Sequence, residues 1–178
     1  MGITVNRSPV LTAVAAVCLV LTACGADPED TADAAAPSPE ASQEISRALL
    51  FEAETTRGEA FEGRSLAETT ALLWFWSDGC AECVSQAPLV VAAADRHDDI
   101  DFFGLAGRGE PDDLLEFEMT HGLDALPNIV DEHGLIWAGF GVISPPTLVF
   151  VRPDGTHSTV PGSMTEHELE LAIDEELG

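Results

Sequence analysis

No lysine occurs anywhere in the 178 residues, and the seven basic side chains, all arginine, stand against 32 carboxylates. A net charge of −25 leaves no basic patch to meet a phosphate backbone, which argues against nucleic acid as a partner. Solubility accounts for such charge without any ligand. Long apolar runs are also missing. The uncharged run at residues 8–23, mostly Val, Leu and Ala, is too short for a comfortable membrane span. Histidine pairs at metal-ligand spacing are absent: His97, His121, His133, His157 and His167 lie far apart in the chain, so a zinc site begun by two cysteines would lack its other ligands. No internal repeat is visible.

What the N-terminal run does offer is the form of an export signal. Arg7 precedes it, and it closes on Leu21-Thr22-Ala23-Cys24, which resembles the lipobox of bacterial lipoproteins. The resemblance implies a signal peptide over 1–23, acylation of Cys24 and an extracytoplasmic protein anchored to the membrane. An ordinary secretory signal, cut after Ala23 or Ala26, is the alternative. Residues 24–44 are dominated by Ala, Pro, Ser, Thr, Asp and Glu, with no aromatic and no periodicity. Such a composition cannot bury enough surface to offset the entropy of ordering, so it reads as a disordered acidic linker. Fully extended it would reach roughly 60 Å. The folded domain is then 45–178.

Cysteine arithmetic follows. Cys18 would leave with the signal, Cys24 would be acylated if the lipoprotein resemblance holds, and only Cys80 and Cys83 remain in the folded part. In an oxidising compartment two spare cysteines so close together pair with each other, which is the domain's one redox event.

Along the domain, apolar stretches at 49–54 and 59–61 flank Thr56-Arg57-Gly58 and predict a hairpin. Residues 71–76 form a short buried strand, and 80–96 a helix with Val84, Ala87, Val91 and Ala94 on one face, kinked at Pro88. A second central strand is expected at 100–106, a helix at 112–121 opened by Pro111, and a short helix or turn at 135–140. Strands at 147–151 and 156–160 are joined by Pro153-Asp154-Gly155. Thr165 and Glu168 make a capping-box pattern for a last helix reaching residue 177. This order predicts an α/β sandwich with a mixed central sheet flanked by helices.

Cys80-Ala81-Glu82-Cys83 follows directly on the 71–76 strand, at the carboxyl end where open α/β sheets place their sites. A cysteine at a helix N-terminus has its thiolate stabilised by the aligned peptide dipoles, and the thiolate is the species that attacks disulfides. Cys80 is therefore the candidate nucleophile and Cys83, one turn into the helix, the resolving thiol. Asp78 and Glu82 oppose the thiolate, which predicts a less acidic thiol and a more reducing pair. Glu82, between the cysteines, is the acid/base candidate. A plain stabilising disulfide is the blander reading, although so short a loop is a poor staple.

Trp74-Phe75-Trp76, the Cys-x-x-Cys, Pro88, residues 126–134, Gly141-Val142-Ile143-Ser144-Pro145-Pro146-Thr147 and the Asp154-Gly155 turn together resemble the thioredoxin superfamily. The likeness is to its exported TlpA/ResA/DsbE branch, from about residue 49 to the end. It implies a thioredoxin-like sandwich with an N-terminal β-hairpin and a helix-strand insertion within 117–140. It also implies a cis Pro146 facing the disulfide, where the carbonyl and N–H of the preceding residue meet an incoming chain. Trp76, Gly79 and Pro145 are the groove candidates. Gly79 stands where relatives usually carry Trp, and Gln86 where they often carry Glu. The implied function is an extracytoplasmic thiol–disulfide oxidoreductase acting on exported protein thiols or disulfides, apocytochrome c among them. A membrane redox partner would recharge it; no cofactor is needed, and a monomer is expected. A thioredoxin-like copper chaperone is the rival reading, with a redox-inactive partner domain behind it.

Overall fold

The structure is a computed structural model that describes residues 46–107 and 109–178. The expected signal peptide over 1–23, linker over 24–44 and lipidation site at Cys24 fall outside the described residues.

Strand β3 (Ala71–Trp76) organises the domain. All six of its residues are fully buried, which only a central strand covered on both faces can be. Its side chains alternate. Leu72, Trp74 and Trp76 enter one apolar cluster, while Ala71, Leu73 and Phe75 enter the other. Each fully buried Leu or Phe contributes about 1.5–3 kcal/mol relative to exposure, before ordering entropy is counted against it.

Five strands make the sheet, in the order β5 (Asn128–Asp131), β4 (Asp101–Gly107), β3, β6 (Thr147–Val151), β7 (His157–Pro161). The β3–β4 and β4–β5 pairs are parallel, and the β3–β6 and β6–β7 pairs antiparallel. This is the expected mixed sheet. One face is covered by α1 (Ala81–Ala94), α2 (Pro111–Thr120) and α4 (Glu166–Leu177), through Val90, Leu114, Phe117, Leu169 and Ile173 among others. The other is covered by α3 (Leu135–Gly139) and the 3-10 turns Arg47–Leu49 and Gly63–Leu66, through Leu49, Leu66, Trp137 and Phe140. The capping box at Thr165 and Glu168 starts α4 as the sequence predicts. Among the described residues no helix is long and apolar enough to cross a membrane.

A two-stranded hairpin, β1 (Glu52–Glu54) and β2 (Ala60–Glu62), turns at Gly58 with φ +78°. It closes the β5 edge through a Thr55–Ile129 bridge and a Thr56 N–H bond to the Asn128 carbonyl. Its tip is held over α2. Arg57 pairs with the buried Glu118 carboxylate at 3.0 Å, and the Thr56 hydroxyl donates to the other carboxylate oxygen.

Two expectations need correction. The first hairpin arm is shorter than 49–54, because Ala48 and Leu49 are drawn into the core by the 3-10 turn Arg47–Leu49. The inward face of α1 is Cys83, Gln86, Ala87, Val90 and Ala93, whereas Val84 is 42 % exposed. The disulfide fixes the phase of the helix, and a buried polar Gln86 interrupts the stripe that apolarity alone would trace. As expected, α1 runs on past Pro88, to Ala94. Val84, whose carbonyl loses its usual partner there, is exposed, so water can serve it.

Ser46 lies against the β6–β7 turn: its backbone nitrogen is 3.8 Å from where a Cβ on Gly155 would stand. That turn follows Val151, which faces Ala71 across the sheet, at the end of β3 remote from Trp76.

Candidate active site

Beyond Trp76 the chain makes a short turn, closed by the Cys80 N–H on the Ser77 carbonyl at 3.2 Å, and enters α1. No heavy atom lies within 4 Å of where a Gly79 side chain would begin, so the approach is open at that residue. Cys80 and Cys83 are joined as a disulfide with their Cα atoms 5.2 Å apart. Cys80 is the N-cap of α1, and its sulfur accepts the Cys83 backbone N–H at 3.0 Å. That amide and the helix dipole favour negative charge on the Cys80 sulfur. Exposure separates the two sulfurs' residues: Cys80 is 7 % accessible and Cys83 not at all.

The loop before β6 sits at the same end of the sheet. Phe75 pairs with Thr147, so the preceding Pro146 lies level with Trp76. The Pro145–Pro146 peptide bond is cis. Pro146 is buried, Pro145 half-buried, and Ile143 is 84 % exposed. The loop is pinned by the Thr147 hydroxyl on the Ser144 carbonyl at 2.7 Å and by the Gly162 N–H on the Pro146 carbonyl at 2.9 Å. The Pro145 carbonyl accepts no hydrogen bond among the described residues. The expected N–H beside it does not exist, because the residue in that position is itself a proline.

Trp76 is fully buried and so lies behind the disulfide instead of lining a groove. Its indole N–H donates to Asn128 Oδ1 at 3.1 Å, and its ring stacks on Phe117 with centroids 4.9 Å apart. Asn128, itself buried, returns its Nδ2 to the carbonyls of Leu123 and Leu126 at 2.8 and 2.9 Å. Trp74, on the same face of β3, donates to Gln86 Oε1 at 3.2 Å. Asn128 was not a site candidate in the sequence, where the only available signal was a polar residue opening an apolar stretch.

Glu82 and Asp78 are exposed. Asp78 also borders a hollow of about 550 Å³ shared with Glu110, Asp113, Glu132 and His133. No group of three or more His, Cys, Asp or Glu among the described residues is arranged to hold a metal. His97 is bound instead to Glu170 at 2.9 Å, and His121 and His157 pack on Phe117 and Phe140.

No protein-family model matches the chain. The soluble secreted antigen MPT53 of Mycobacterium tuberculosis is 35 % identical over 124 residues, covering 68 % of this chain and 71 % of that protein. Two solved structures are also similar. MTB DsbF, seen in mixed oxidized and reduced forms, superposes with a TM-score of 0.69 at 34 % identity over 72 % of this chain and 96 % of its own. A secreted M. tuberculosis disulfide oxidoreductase homologous to E. coli DsbE gives 0.67 at 33 % identity over 72 % and 97 %.

Proposed function

Because the chain belongs to the thioredoxin superfamily and is a thiol–disulfide oxidoreductase of the DsbE and MPT53 type, we propose that it exchanges disulfides with exported proteins through a mixed disulfide on Cys80. The carrying observation is the difference between the two cysteines. Cys80 caps the helix and retains some exposure, whereas Cys83 is sealed beneath it.

In the oxidised protein a substrate thiolate attacks Cys80 Sγ and the electron pair of the Cys80–Cys83 bond leaves on Cys83. Cys83 then takes a proton, and a second substrate thiolate resolves the mixed disulfide, so that two thiols of the substrate become its disulfide. The reduced protein runs the same steps backwards. Glu82, exposed in the first turn, is the candidate to pass protons between these sulfurs and water. Pro145 and Pro146 border the approach from the opposite loop, and Gly79 leaves it open.

Export is supported by the secreted relatives, and the lipid anchor by Leu21-Thr22-Ala23-Cys24 alone. In this reading a diacylated Cys24 holds a monomeric domain outside the membrane, where a membrane redox partner recharges it and apocytochrome c is one candidate client. Intact-mass measurement of native protein tests the anchor: a diacylated Cys24 terminus is expected, and an unmodified terminus downstream of Cys24 refutes it. Trapping tests the chemistry. Cys83→Ser should accumulate mixed disulfides on non-reducing gels and Cys80→Ser few, and the reverse pattern would sink the assignment.

A further inference from the structure

The Gln86 side chain is 1 % exposed and only half satisfied. Its Oε1 accepts the Trp74 indole N–H at 3.2 Å, while its Nε2 has no hydrogen-bond partner among the described residues. Indole nitrogen can only donate, so the amide cannot be turned round: the oxygen must face Trp74, and the two N–H donors must point elsewhere. Keeping such donors dry is costly, so the arrangement calls for a partner that exists in another state of the protein.

Cys83, one helical turn away, is the candidate. Gln86 lies three residues after Cys83 on α1, on the same buried face, and side chains at that spacing are neighbours. Helical side chains also lean toward the N-terminus, so the Gln86 side chain leans toward the turn of α1 that holds Cys83. When the disulfide opens, Cys83 receives the electron pair as a thiolate in a site with no access to water. Asp78 and Glu82, the charged residues nearest in the chain, are exposed and of the wrong sign to help it.

We propose that the Gln86 Nε2 is the hydrogen-bond donor held for the Cys83 thiolate, unused in the disulfide form and engaged once an attacking thiolate has displaced Cys83 from Cys80. It rests on the proposed attack at Cys80. No atom is transferred through Gln86. The attacking thiol gives its proton to solvent beforehand, its sulfur bonds to Cys80 Sγ, and the released pair stays on Cys83 until that sulfur is protonated or attacks back. Gln86 therefore favours the opened pair and makes the couple more oxidising than the flanking carboxylates would leave it.

The test is the equilibrium of the Cys80–Cys83 couple with glutathione, in wild type, Gln86→Leu and Gln86→Glu. A thiolate-absorbance titration of Cys83 in the Cys80→Ser background accompanies it. Gln86→Leu should shift the equilibrium about tenfold toward the disulfide, roughly 30 mV more reducing, and raise the Cys83 pKa by about one unit. The Trp74 N–H left unpaired by Leu is unpaired in both redox states, so it cancels from the equilibrium. Gln86→Glu keeps the acceptor for Trp74 and replaces the donor by an anion, and should shift the couple the same way by at least as much. If the leucine variant does not fold, the glutamate variant decides. An equilibrium and a Cys83 pKa unchanged in the folded variants overturn the proposal, as does a reduced-state structure in which Nε2 binds only a trapped water. A pair that equilibrates with glutathione yet traps no exported protein would instead refute the proposed function and leave this inference standing.

Discussion

Gly104 faces Asn128 across the β4–β5 pair so closely that a Cβ at residue 104 would stand 2.0 Å from Asn128 Oδ1, the atom that receives the Trp76 indole proton. The wall behind the disulfide is therefore built around a missing side chain. Asn128 spends all its polar atoms on it, one accepting from Trp76 and the other donating to two loop carbonyls.

Asn128→Ala should lower stability by about 2–4 kcal/mol, since it leaves a buried indole N–H and two loop carbonyls unpaired. Gly104→Ala should cost about 1–3 kcal/mol by overpacking the same spot. Urea unfolding of the oxidised proteins measures both. Either variant within about 0.5 kcal/mol of wild type would show that the wall repacks freely.

Asp78 and Glu82 put negative charge on both sides of Cys80. Asp78→Asn with Glu82→Gln should lower the Cys80 pKa and make the couple more oxidising, by about 20–45 mV at low salt. Because both carboxylates are exposed, the shift should shrink as ionic strength rises. A thiolate titration beside a glutathione equilibrium checks it; an unchanged pKa would leave the helix terminus and the buried surroundings in control.

The Pro145 carbonyl accepts no hydrogen bond among the described residues, and no N–H accompanies it. A substrate backbone can donate to this loop but cannot accept from it there. Pro145→Val restores a donor, and should lower KM for a cysteine-containing peptide by about 2- to 10-fold, the worth of one net hydrogen bond. Exchange with glutathione should hardly change, since so small a thiol need not lie along the loop. Equal KM values for the peptide would show that substrates do not pair with this loop.

Arg96 and His97, just past the end of α1, both bind Glu170 on α4. The hydrogen bonds from Arg96 and then His97 hold the Glu170 carboxyl below its ordinary value of 4.5. The unfolded chain therefore takes up the proton first as pH falls. The stabilisation is complete above the ordinary value and is lost as pH drops through the depressed one. Glu170→Gln should cost about 1 kcal/mol or less near neutrality, where the pair is partly solvated, and nothing in strong acid. Stability curves from pH 7 to 2 that run parallel for the two proteins would refute the linkage.

Much of this fold is legible because its signals are local. The span of β3, the cap of α4 at Thr165 and the Gly58 and Gly155 turns each follow from a few adjacent residues. The paired cysteines are legible for the same reason. What escapes the sequence depends on partners far along the chain. Val84 looks as apolar as Val90, and only the disulfide sets which of them faces inward. Trp76 reads as a groove residue until Asn128, 52 positions away, claims its N–H. Gln86 is placed by the resemblance where relatives often carry Glu, but its burial and its bond to Trp74, twelve positions away, show only in the fold.

The placement of Ser46 against the Gly155 turn has a practical meaning for anything joined ahead of it. An affinity tag or a bead attached there pulls on the pole of the domain remote from Cys80, with the length of β3, about 20 Å for its six residues, between load and sulfur. A bead joined at that end therefore leaves the rim around Cys80 clear for a folded client.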